Sequence, residues 1–324
     1  MALRDFVIRR VVDGAILFFM AITLNFFLFR IMPGDPTAFF IENPKFSPET
    51  RKALIEMFGL NRPLWEQYAR YVMNAFTFNF GISFQYLRPV REIIFGPRLI
   101  NTLALMIPAT VLATLLGVFI GTIAAWRRGS KFDASATFMS LLFYSIPVYW
   151  LGLLIILVFA YYLGLLPFRG SLTPGAVYTS PLDFLADYLW HMTGPLMTLT
   201  LINFGGYLLI MRSNLLDVFS QDYIVAAKAK GLSDRTILFS YGMRNAIIPV
   251  VTLTGLNMAF SISGAVLTET VFSWYGMGRL IFEAVNQRDY PILEGVFFLL
   301  ALLVIIANIV MDIIYAYLDP RIRY

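Results

Sequence analysis

The 324-residue sequence has no cysteine, one histidine and few charged residues. Without cysteine there can be no disulfide, thiolate nucleophile or cysteine-ligated metal site. The single histidine, His191, starts an apolar run, and we interpret it as a structural hydrogen-bonding residue. Neither a GxxxxGK[ST] phosphate-binding loop nor an HExxH motif occurs, so nothing in the chain indicates nucleotide hydrolysis or zinc-dependent proteolysis. Charged residues make up 14% of the chain, whereas a soluble protein carries about a quarter.

What is abundant is apolar sequence. The hydrophobic fraction is 59% and the mean hydropathy is +0.72. A helix needs about 20 apolar residues to cross the ~30 Å hydrocarbon layer, where lipid offers no partner for unpaired backbone groups. Six runs fit a membrane helix: Gly14–Phe29, Leu99–Trp126, Ala134–Phe168, Tyr188–Met211, Asn245–Thr268 and Gly295–Met311. We therefore predict an all-α polytopic membrane protein with six transmembrane helices.

The distribution of lysine and arginine predicts the orientation of these spans. The N-terminus is basic and resembles a signal peptide, but a Pro33-Gly34-Asp35-Pro36 turn stands where a cleavage site would follow, so we expect an uncleaved first span. With six spans, both termini and the segments 127–133 and 212–244 share one side. That side collects most of the basic residues of the short loops and is therefore expected to be cytoplasmic. The net charge of +5 follows from this topology, and no nucleic-acid partner is expected.

The same spans divide the chain into four parts. Residues 1–32 form the N-terminal cytoplasmic end and the first transmembrane helix, and residues 33–98 form an external helical segment. Residues 99–318 form a membrane domain of five helices with a polar cytoplasmic loop at 212–246, and residues 319–324 form a cytoplasmic tail. We interpret the external segment as a packing lid in preference to a platform for an external partner.

The polar stretch 222–249 is the most informative part of the chain. It reads DYIVAAKAKGLSDRTILFSYGMRNAIIP between two apolar runs. Ser220 or Asp222 can cap a first helix, Gly231 can end it at positive φ, and Ser233 can cap a second helix. The small side chains of Ala226 and Ala227 would let a partner's groove approach closely. Connections between helices usually have about 2–8 residues, so this long helical loop predicts a docking site for another protein.

Other functions are less compatible with the sequence. The acidic residues near the spans, Asp13, Glu269 and Asp312, lie toward helix ends, where they suit anchoring ion pairs better than the proton relay of a secondary transporter. A passive channel remains an alternative and would conduct without ATP. An intramembrane serine protease using Ser263 and His191 is a remote alternative, because matches to such short motifs arise by chance.

The loop also resembles a known family, the membrane subunits of ATP-binding-cassette (ABC) importers in the dipeptide/oligopeptide permease branch. Val225-Ala226-Ala227 and Gly231 occupy the general Glu-Ala-Ala…Gly signature, with Val replacing Glu. The proline that usually follows the glycine by thirteen residues is replaced by Arg244, and Pro249 comes eighteen after it. The peptide branch usually has A-x-A-K-G-L-S and R-N-A-x-x-P-V-V-T, which match Ala227–Ser233 and Arg244–Thr252.

The resemblance extends over nearly the whole chain. The branch usually has Pro at the position of Tyr275, which is one departure. The further matching stretches are Met32–Pro36, Gly59–Leu64, Phe80–Ser83, Glu269–Trp274, Gly276–Arg279, Arg288–Pro291 and Asp319–Arg323.

The resemblance implies the type I ABC importer fold, with an external helical segment after the first span, in a prokaryotic inner membrane. It implies ATP-driven import of short peptides or related solutes, such as oligosaccharides or nickel, by a chain that is not itself an enzyme. The implied partners are a second homologous permease subunit, two ATP-binding-cassette ATPases, an external substrate-binding protein and the lipid bilayer. No cofactor is expected in this chain, since ATP and magnesium would bind the ATPases.

Two sets of site residues follow from the loop and the resemblance. Replacing Ala227 with Trp or Gly231 with Asp is expected to lower transport. The set expected to couple the chain to an ATPase is Asp222, Tyr223, Val225, Ala226, Ala227, Lys230 and Gly231. The candidates for the translocation pathway are Asn203, Asn257, Ser261, Ser263 and Glu269, although we favour helix packing as the role of small and polar residues within spans.

Overall fold

The computed structural model describes residues 3–31, 47–49, 52, 55–56, 61–261 and 264–318. They fall into two compact units, one combining residues up to Asn101 with residues from Gly276 onward, the other Thr102–Tyr275. The main helices are α1 Leu3–Ile31, α2 Leu64–Phe76, α3 Leu99–Trp126, α4 Lys131–Ser145, α5 Val148–Ile155, α6 Pro181–Phe219, α7 Asp222–Ala229, α8 Ile248–Phe260, α9 Val266–Val271, α10 Met277–Asn286 and α11 Tyr290–Leu318. Shorter helical pieces, three of them with π-type hydrogen bonding, are Val90–Ile93, Ile94–Arg98, Ile156–Tyr162, Asp234–Thr236, Ile237–Met243 and Arg244–Ala246.

Four helices are long and apolar enough to cross a membrane: Asp5–Phe29, Val90–Trp126, Pro181–Phe219 and Tyr290–Val310. Two bent pairs raise the number to six if each pair is one span. They are Lys131–Ser145 with Val148–Tyr162, and Asp234–Ala246 with Ile248–Met258. The prediction of a polytopic all-α membrane protein is confirmed.

The run predicted as one span at Ala134–Phe168 is not one straight helix. It bends by 103° between α4 and α5. Pro147 causes the break, because proline has no N–H to donate and its ring disfavours helical geometry in the preceding residue. Ile146 is accordingly extended, with ψ of 132°.

In the first unit, α1 and α11 run antiparallel along their length. At one end Arg10 forms an ion pair with Asp312 at 3.2 Å, which confirms the expectation that Asp312 anchors its helix through a partner. Farther along, the Asn25 side-chain amide donates to the backbone carbonyl of Glu294 at 3.1 Å. At the other end the rings of Phe29 and Tyr290 lie 6.5 Å apart.

In the second unit, α3 and α6 approach so closely that only glycine fits at two positions. A Cβ on Gly117 would lie 2.4 Å from the Cβ of Tyr207, and one on Gly121 would lie 2.7 Å from the Leu208 carbonyl oxygen. Small residues at such positions are how membrane helices gain van der Waals contact. Where α6 approaches α4, Arg212 binds both carboxylate oxygens of Asp133, at 2.6 and 2.9 Å. These contacts hold α6 against α3 and α4.

Candidate functional site

The polar helix α7 is anchored by one face. Ile224 and Ala227 are 0% and 4% exposed, and they pack against Ile237. The remaining residues of α7 are exposed. The expectation that both alanines face a partner is wrong for Ala227, which is buried against the chain itself. Ala226 is exposed, and for that residue the expectation stays a prediction.

The end of α7 has the geometry that the sequence predicts. Gly231 has φ of +74°. Its N–H donates to the Lys228 carbonyl at 2.9 Å, and the N–H of Leu232 donates to the Ala227 carbonyl at 3.3 Å. These two bonds form a Schellman motif, which satisfies the last carbonyls of the helix. No atom lies within 4 Å of the position of a Cβ on Gly231, so the backbone angle and not the space requires glycine.

The start of α7 differs from the prediction. The N-cap is Gln221, which makes no side-chain capping bond. Ser220 instead ends α6, and its hydroxyl donates to the Asp217 carbonyl at 2.7 Å. The prediction that Ser220 or Asp222 caps α7 was wrong because α6 continues to Phe219, well beyond the apolar run. Asp222 lies in the first turn, where its charge complements the helix dipole.

The segment after Gly231 fixes α7 to the helix that follows it. The Ser233 hydroxyl accepts from the Thr236 N–H at 3.3 Å, which confirms the predicted cap. The Asn245 side-chain amide donates to the Tyr223 hydroxyl at 2.9 Å. Since Ile237 also packs under α7, both ends of the stretch 237–245 contact this helix before the chain bends by 44° into α8.

Sequence reasoning missed Asn245 as a partner of α7. The only signal was its place in the Arg244-Asn245-Ala246 motif. A sequence signal did exist for the buried pair Ile224 and Ala227. These residues are three apart, so their side chains lie on the same face of the helix.

The outer face of α7 combines apolar and basic side chains. Tyr223 and Val225 are 40% and 60% exposed, and Lys228 and Lys230 are exposed beside them. Residues two apart on a helix point in different directions, so Val225 faces outward while Tyr223 lies toward Asn245, which donates to its hydroxyl. Exposed apolar and aromatic side chains on a short, well-anchored helix are a feature of protein-binding surfaces.

Two of the pathway candidates lie near each other at the end of α8, where Asn257 is in the last turn and Ser261 is the C-cap. The Ser261 hydroxyl donates to the Asn257 carbonyl at 2.9 Å and lies 3.5 Å from the Thr110 hydroxyl of α3. The Asn257 side-chain amide donates to the Tyr207 hydroxyl of α6 at 2.8 Å. These polar side chains thus join three helices of the second unit.

The other candidates have different surroundings. Asn203 is exposed and donates to the Leu199 carbonyl of its own helix at 2.8 Å. Glu269 is fully buried and accepts from the Thr102 hydroxyl at 2.8 Å. Ser263 lies outside the described residues. Within the described part of the chain, no three His, Asp or Glu residues are grouped so that they could hold a metal ion.

Comparison with known proteins identifies the family. Residues 117–324 match the family described as "Binding-protein-dependent transport system inner membrane component", and residues 3–106 match its N-terminal counterpart, "Binding-prot-dependent transport system membrane comp, N-term".

Three relatives align with almost the whole chain. The Oligopeptide transport system permease protein AppB of Bacillus subtilis (strain 168) is 37% identical, over 98% of this chain and 99% of that protein. The Dipeptide transport system permease protein DppB of Escherichia coli (strain K12) is 35% identical, over 99% of each. The Di/tripeptide transport system permease protein DppB of Pseudomonas aeruginosa (strain UCBPP-PA14) is 36% identical, over 95% of each. The chain therefore belongs to the binding-protein-dependent transport system inner membrane components, and it is a multi-pass membrane permease subunit of an ABC importer.

Proposed function

We propose that this chain is a permease subunit of an ATP-driven importer of short peptides in a prokaryotic inner membrane, with both termini cytoplasmic. The substrate class is supported by the names of the relatives, which are oligopeptide, dipeptide and di/tripeptide permeases. The proposed complex also contains a second homologous permease subunit, two ATP-binding-cassette ATPases that bind ATP and magnesium, and an external substrate-binding protein.

The single observation that carries the coupling proposal is the construction of α7. Its inner face is fixed by Ala227 and Ile224 against Ile237, and its exposed surface includes Tyr223, Val225 and Ala226. A helix that is firmly packed against its own chain on one side and has exposed side chains on the other can be displaced by a partner without deforming. We assign this outer face to a groove of one ATPase.

The contacts around α7 support a route by which a displacement of this helix would reach the membrane. When ATP closes the ATPase pair, α7 moves with its ATPase. The Tyr223–Asn245 hydrogen bond and the packing of Ile237 carry the displacement into the stretch that enters α8. Near the end of α8, Asn257 contacts Tyr207 and Ser261 contacts Thr110. We expect these contacts to break and re-form as the translocation pathway switches between opening to the inside and opening to the outside.

The coupling surface is tested by Ala226→Trp, with Ala226→Ser as the matched control. Both act at an exposed position, so neither disturbs the packing of α7 on its own chain, whereas a Trp at the buried Ala227 would. We expect ATP-driven peptide uptake per permease in proteoliposomes to fall at least tenfold for Ala226→Trp and to stay normal for Ala226→Ser. Normal uptake by Ala226→Trp would contradict the assignment.

The substrate class is tested on the partner binding protein, because that protein selects the solute. It would be purified from cells, and its bound ligand would be identified by mass spectrometry and metal analysis. We expect short peptides. A bound oligosaccharide or nickel ion would contradict the peptide proposal, and solute flux through the complete complex without ATP would contradict an ATP-driven importer in favour of a channel.

A further inference from the structure

The helix α2, which follows the first span, lies antiparallel along the apolar part of α1. The Tyr68 hydroxyl is 2.7 Å from the Thr23 hydroxyl, and its ring lies 5.3 Å from that of Phe26. At the end of α2 the ring of Phe76 lies 6.5 Å from that of Phe18. From Tyr68 to Phe76, eight residues along α2, the contacted residue on α1 changes from Phe26 to Phe18, which is also eight residues. This corresponds to about 12 Å along each helix.

This register sets the depth of Phe76. The antiparallel pair of α1 and α11 extends from the Arg10–Asp312 ion pair to the ring contact of Phe29 with Tyr290. Phe18 is eleven residues from Phe29 along α1, about 16 Å. Because the hydrocarbon layer is ~30 Å thick, Phe18 and its neighbour Phe76 lie near the middle of the apolar length of these spans.

The turn after α2 gives a second, independent measure of depth. The rings of Phe78 and Phe80 lie 5.8 and 5.2 Å from the ring of Phe298. Phe298 is eight residues into α11 from Tyr290, about 12 Å from that end of the helix. Two different spans therefore place the tip of this segment, at residues 76–80, more than a third of the way along the apolar layer.

Several backbone N–H groups at this tip are hydrogen-bonded within the segment. The Phe78 N–H donates to the Ala75 carbonyl at 3.1 Å, and the Asn79 N–H donates to the Asn74 carbonyl at 2.9 Å. The Asn79 side chain accepts from the Gly81 N–H at 3.3 Å. Lipid cannot hydrogen-bond to a helix end, so a terminus that satisfies itself in this way suits insertion.

The charge pattern of the segment agrees with its depth. Residues 71–87, YVMNAFTFNFGISFQYL, contain no charged side chain. The charges of α2 are confined to its first half, where Glu66 pairs with Arg62 and, at 3.4 Å, with Arg70. Side chains on a helix lean toward its N-terminus, so Arg70 is directed away from the deep end, as arginines near a membrane boundary are.

The outward face of α2 is apolar. Trp65, Met73 and Phe76 are 73%, 62% and 62% exposed, and the exposed Ala69 lies on the same face. Beside it on α1, Leu24 is 70% exposed and the ring of Phe27 stacks on that of Tyr68 at 6.3 Å. The apolar surface of the first span thus continues onto α2.

We propose that residues 64–87 form a re-entrant hairpin that inserts about halfway into the bilayer beside α1 and α11. In this arrangement the stripe Trp65, Ala69, Met73 and Phe76 contacts lipid acyl chains. The proposal concerns the first unit alone and is independent of the transported solute.

Site-directed spin labelling tests this arrangement directly, since the chain has no cysteine of its own. Single variants Trp65→Cys, Ala69→Cys, Met73→Cys and Phe76→Cys would be labelled in the complete complex in lipid nanodiscs, with cysteine-free partner subunits. Asn61→Cys, at an exposed site before α2, is the aqueous control, and Leu24→Cys is the lipid control. Accessibility would be measured to oxygen, which partitions into lipid, and to a water-soluble nickel chelate.

We expect the ratio of oxygen to nickel accessibility to rise from Trp65 to Phe76 and to match Leu24 at the deepest position. A ratio at Met73 and Phe76 equal to that of Asn61 would overturn the proposal in favour of an aqueous lid. Low accessibility to both reagents would overturn it in favour of a protein partner on this face. The exposed Ala69 and Met73 keep the test decisive if Phe76→Cys disturbs the tip.

Discussion

The helices α2 and α7 end in the same backbone geometry but have different residues at the position of positive φ. Both are too short to cross a membrane, both bury one face, and both end in a Schellman motif. The residue at positive φ is Gly231 after α7 and Phe78 after α2, with φ of +74° and +53°. For residues other than glycine, this backbone conformation costs about 1–2 kcal/mol. A phenylalanine at this position therefore requires a stabilising contact that compensates for the strain.

The surroundings of the two residues explain the difference. No atom lies within 4 Å of a Cβ on Gly231, so nothing would be gained by a side chain there. The ring of Phe78 lies 5.7 Å from that of Phe95 and 5.8 Å from that of Phe298. Glycine is present where only the direction of the chain matters, and phenylalanine where packing of the ring outweighs the backbone strain.

The largest effect is expected at Phe78. Burying a phenylalanine fully contributes about 3–5 kcal/mol relative to alanine, and Phe78 is half-buried, so Phe78→Ala should cost about 2 kcal/mol. Phe78→Gly loses the same ring but relieves the strain, so it should be about 1 kcal/mol more stable than Phe78→Ala. Thermal unfolding of the purified complex measures both. A glycine variant less stable than the alanine variant would show that strain has no part in this turn.

The next effect is expected at Gly231. Gly231→Val forces a β-branched residue to positive φ, which costs at least about 1–2 kcal/mol or redirects the chain. Asparagine tolerates this conformation, so Gly231→Asn should be nearly neutral. We expect peptide uptake to fall severalfold for Val and little for Asn.

A second glycine provides the control for this comparison. Gly206 lies inside α6, and there too no atom lies within 4 Å of a Cβ. Gly206→Ala should leave uptake unchanged, because its backbone is helical and alanine favours a helix. Equal losses for Gly231→Val and Gly231→Asn would indicate that the angle of α7 is not what glycine supplies.

The smallest effect is expected for the link between α7 and the segment after it. Tyr223→Phe keeps the ring but removes the hydroxyl that accepts from Asn245. A hydrogen bond contributes about 0.5–1.5 kcal/mol net, and this one is exposed, so a change of about twofold in peptide transported per ATP hydrolysed is expected. The measurement is uptake against phosphate release in the same vesicles. If the amount of peptide transported per ATP is unchanged, the hydrogen bond does not contribute to coupling, and the packing of Ile237 would be the contact that links α7 to the segment after it.

Much of the α7 region could be predicted from sequence because its signals are local. A glycine that ends a helix and a serine that caps the next one act within a few residues, and Gly231 and Ser233 have these roles in the structure. The N-cap prediction failed because a polar loop was assumed to begin where the apolar run stops, whereas α6 continues to Phe219. The inward direction of Ala227 depends on Ile237, which no local pattern reveals.

The apolar segments of the membrane region were predictable from the sequence, but their shape was not: four are single helices, and the count reaches six only if each of the two bent pairs is one span. Apolar length alone indicates the spans, since it reflects the thickness of the bilayer. The 103° bend at Pro147 had a sequence signal, the Ile146-Pro147 pair. It was not predicted because this pair lies within a long uncharged apolar run. The depth that we propose for α2 depends on its register against α1 and α11, which is a tertiary property. The uncharged stretch 71–87 was its only sequence signal.

The most direct test of the account asks what α7 touches. Val225→Cys, labelled with a photoactivatable maleimide, would be irradiated in the complete complex, with labelled Leu24→Cys as the control. We predict that Val225 cross-links to an ATPase subunit and that Leu24 does not. Cross-linking of Val225 to the external binding protein, or no cross-link from Val225 to an ATPase, would contradict the claim that this chain is driven through α7.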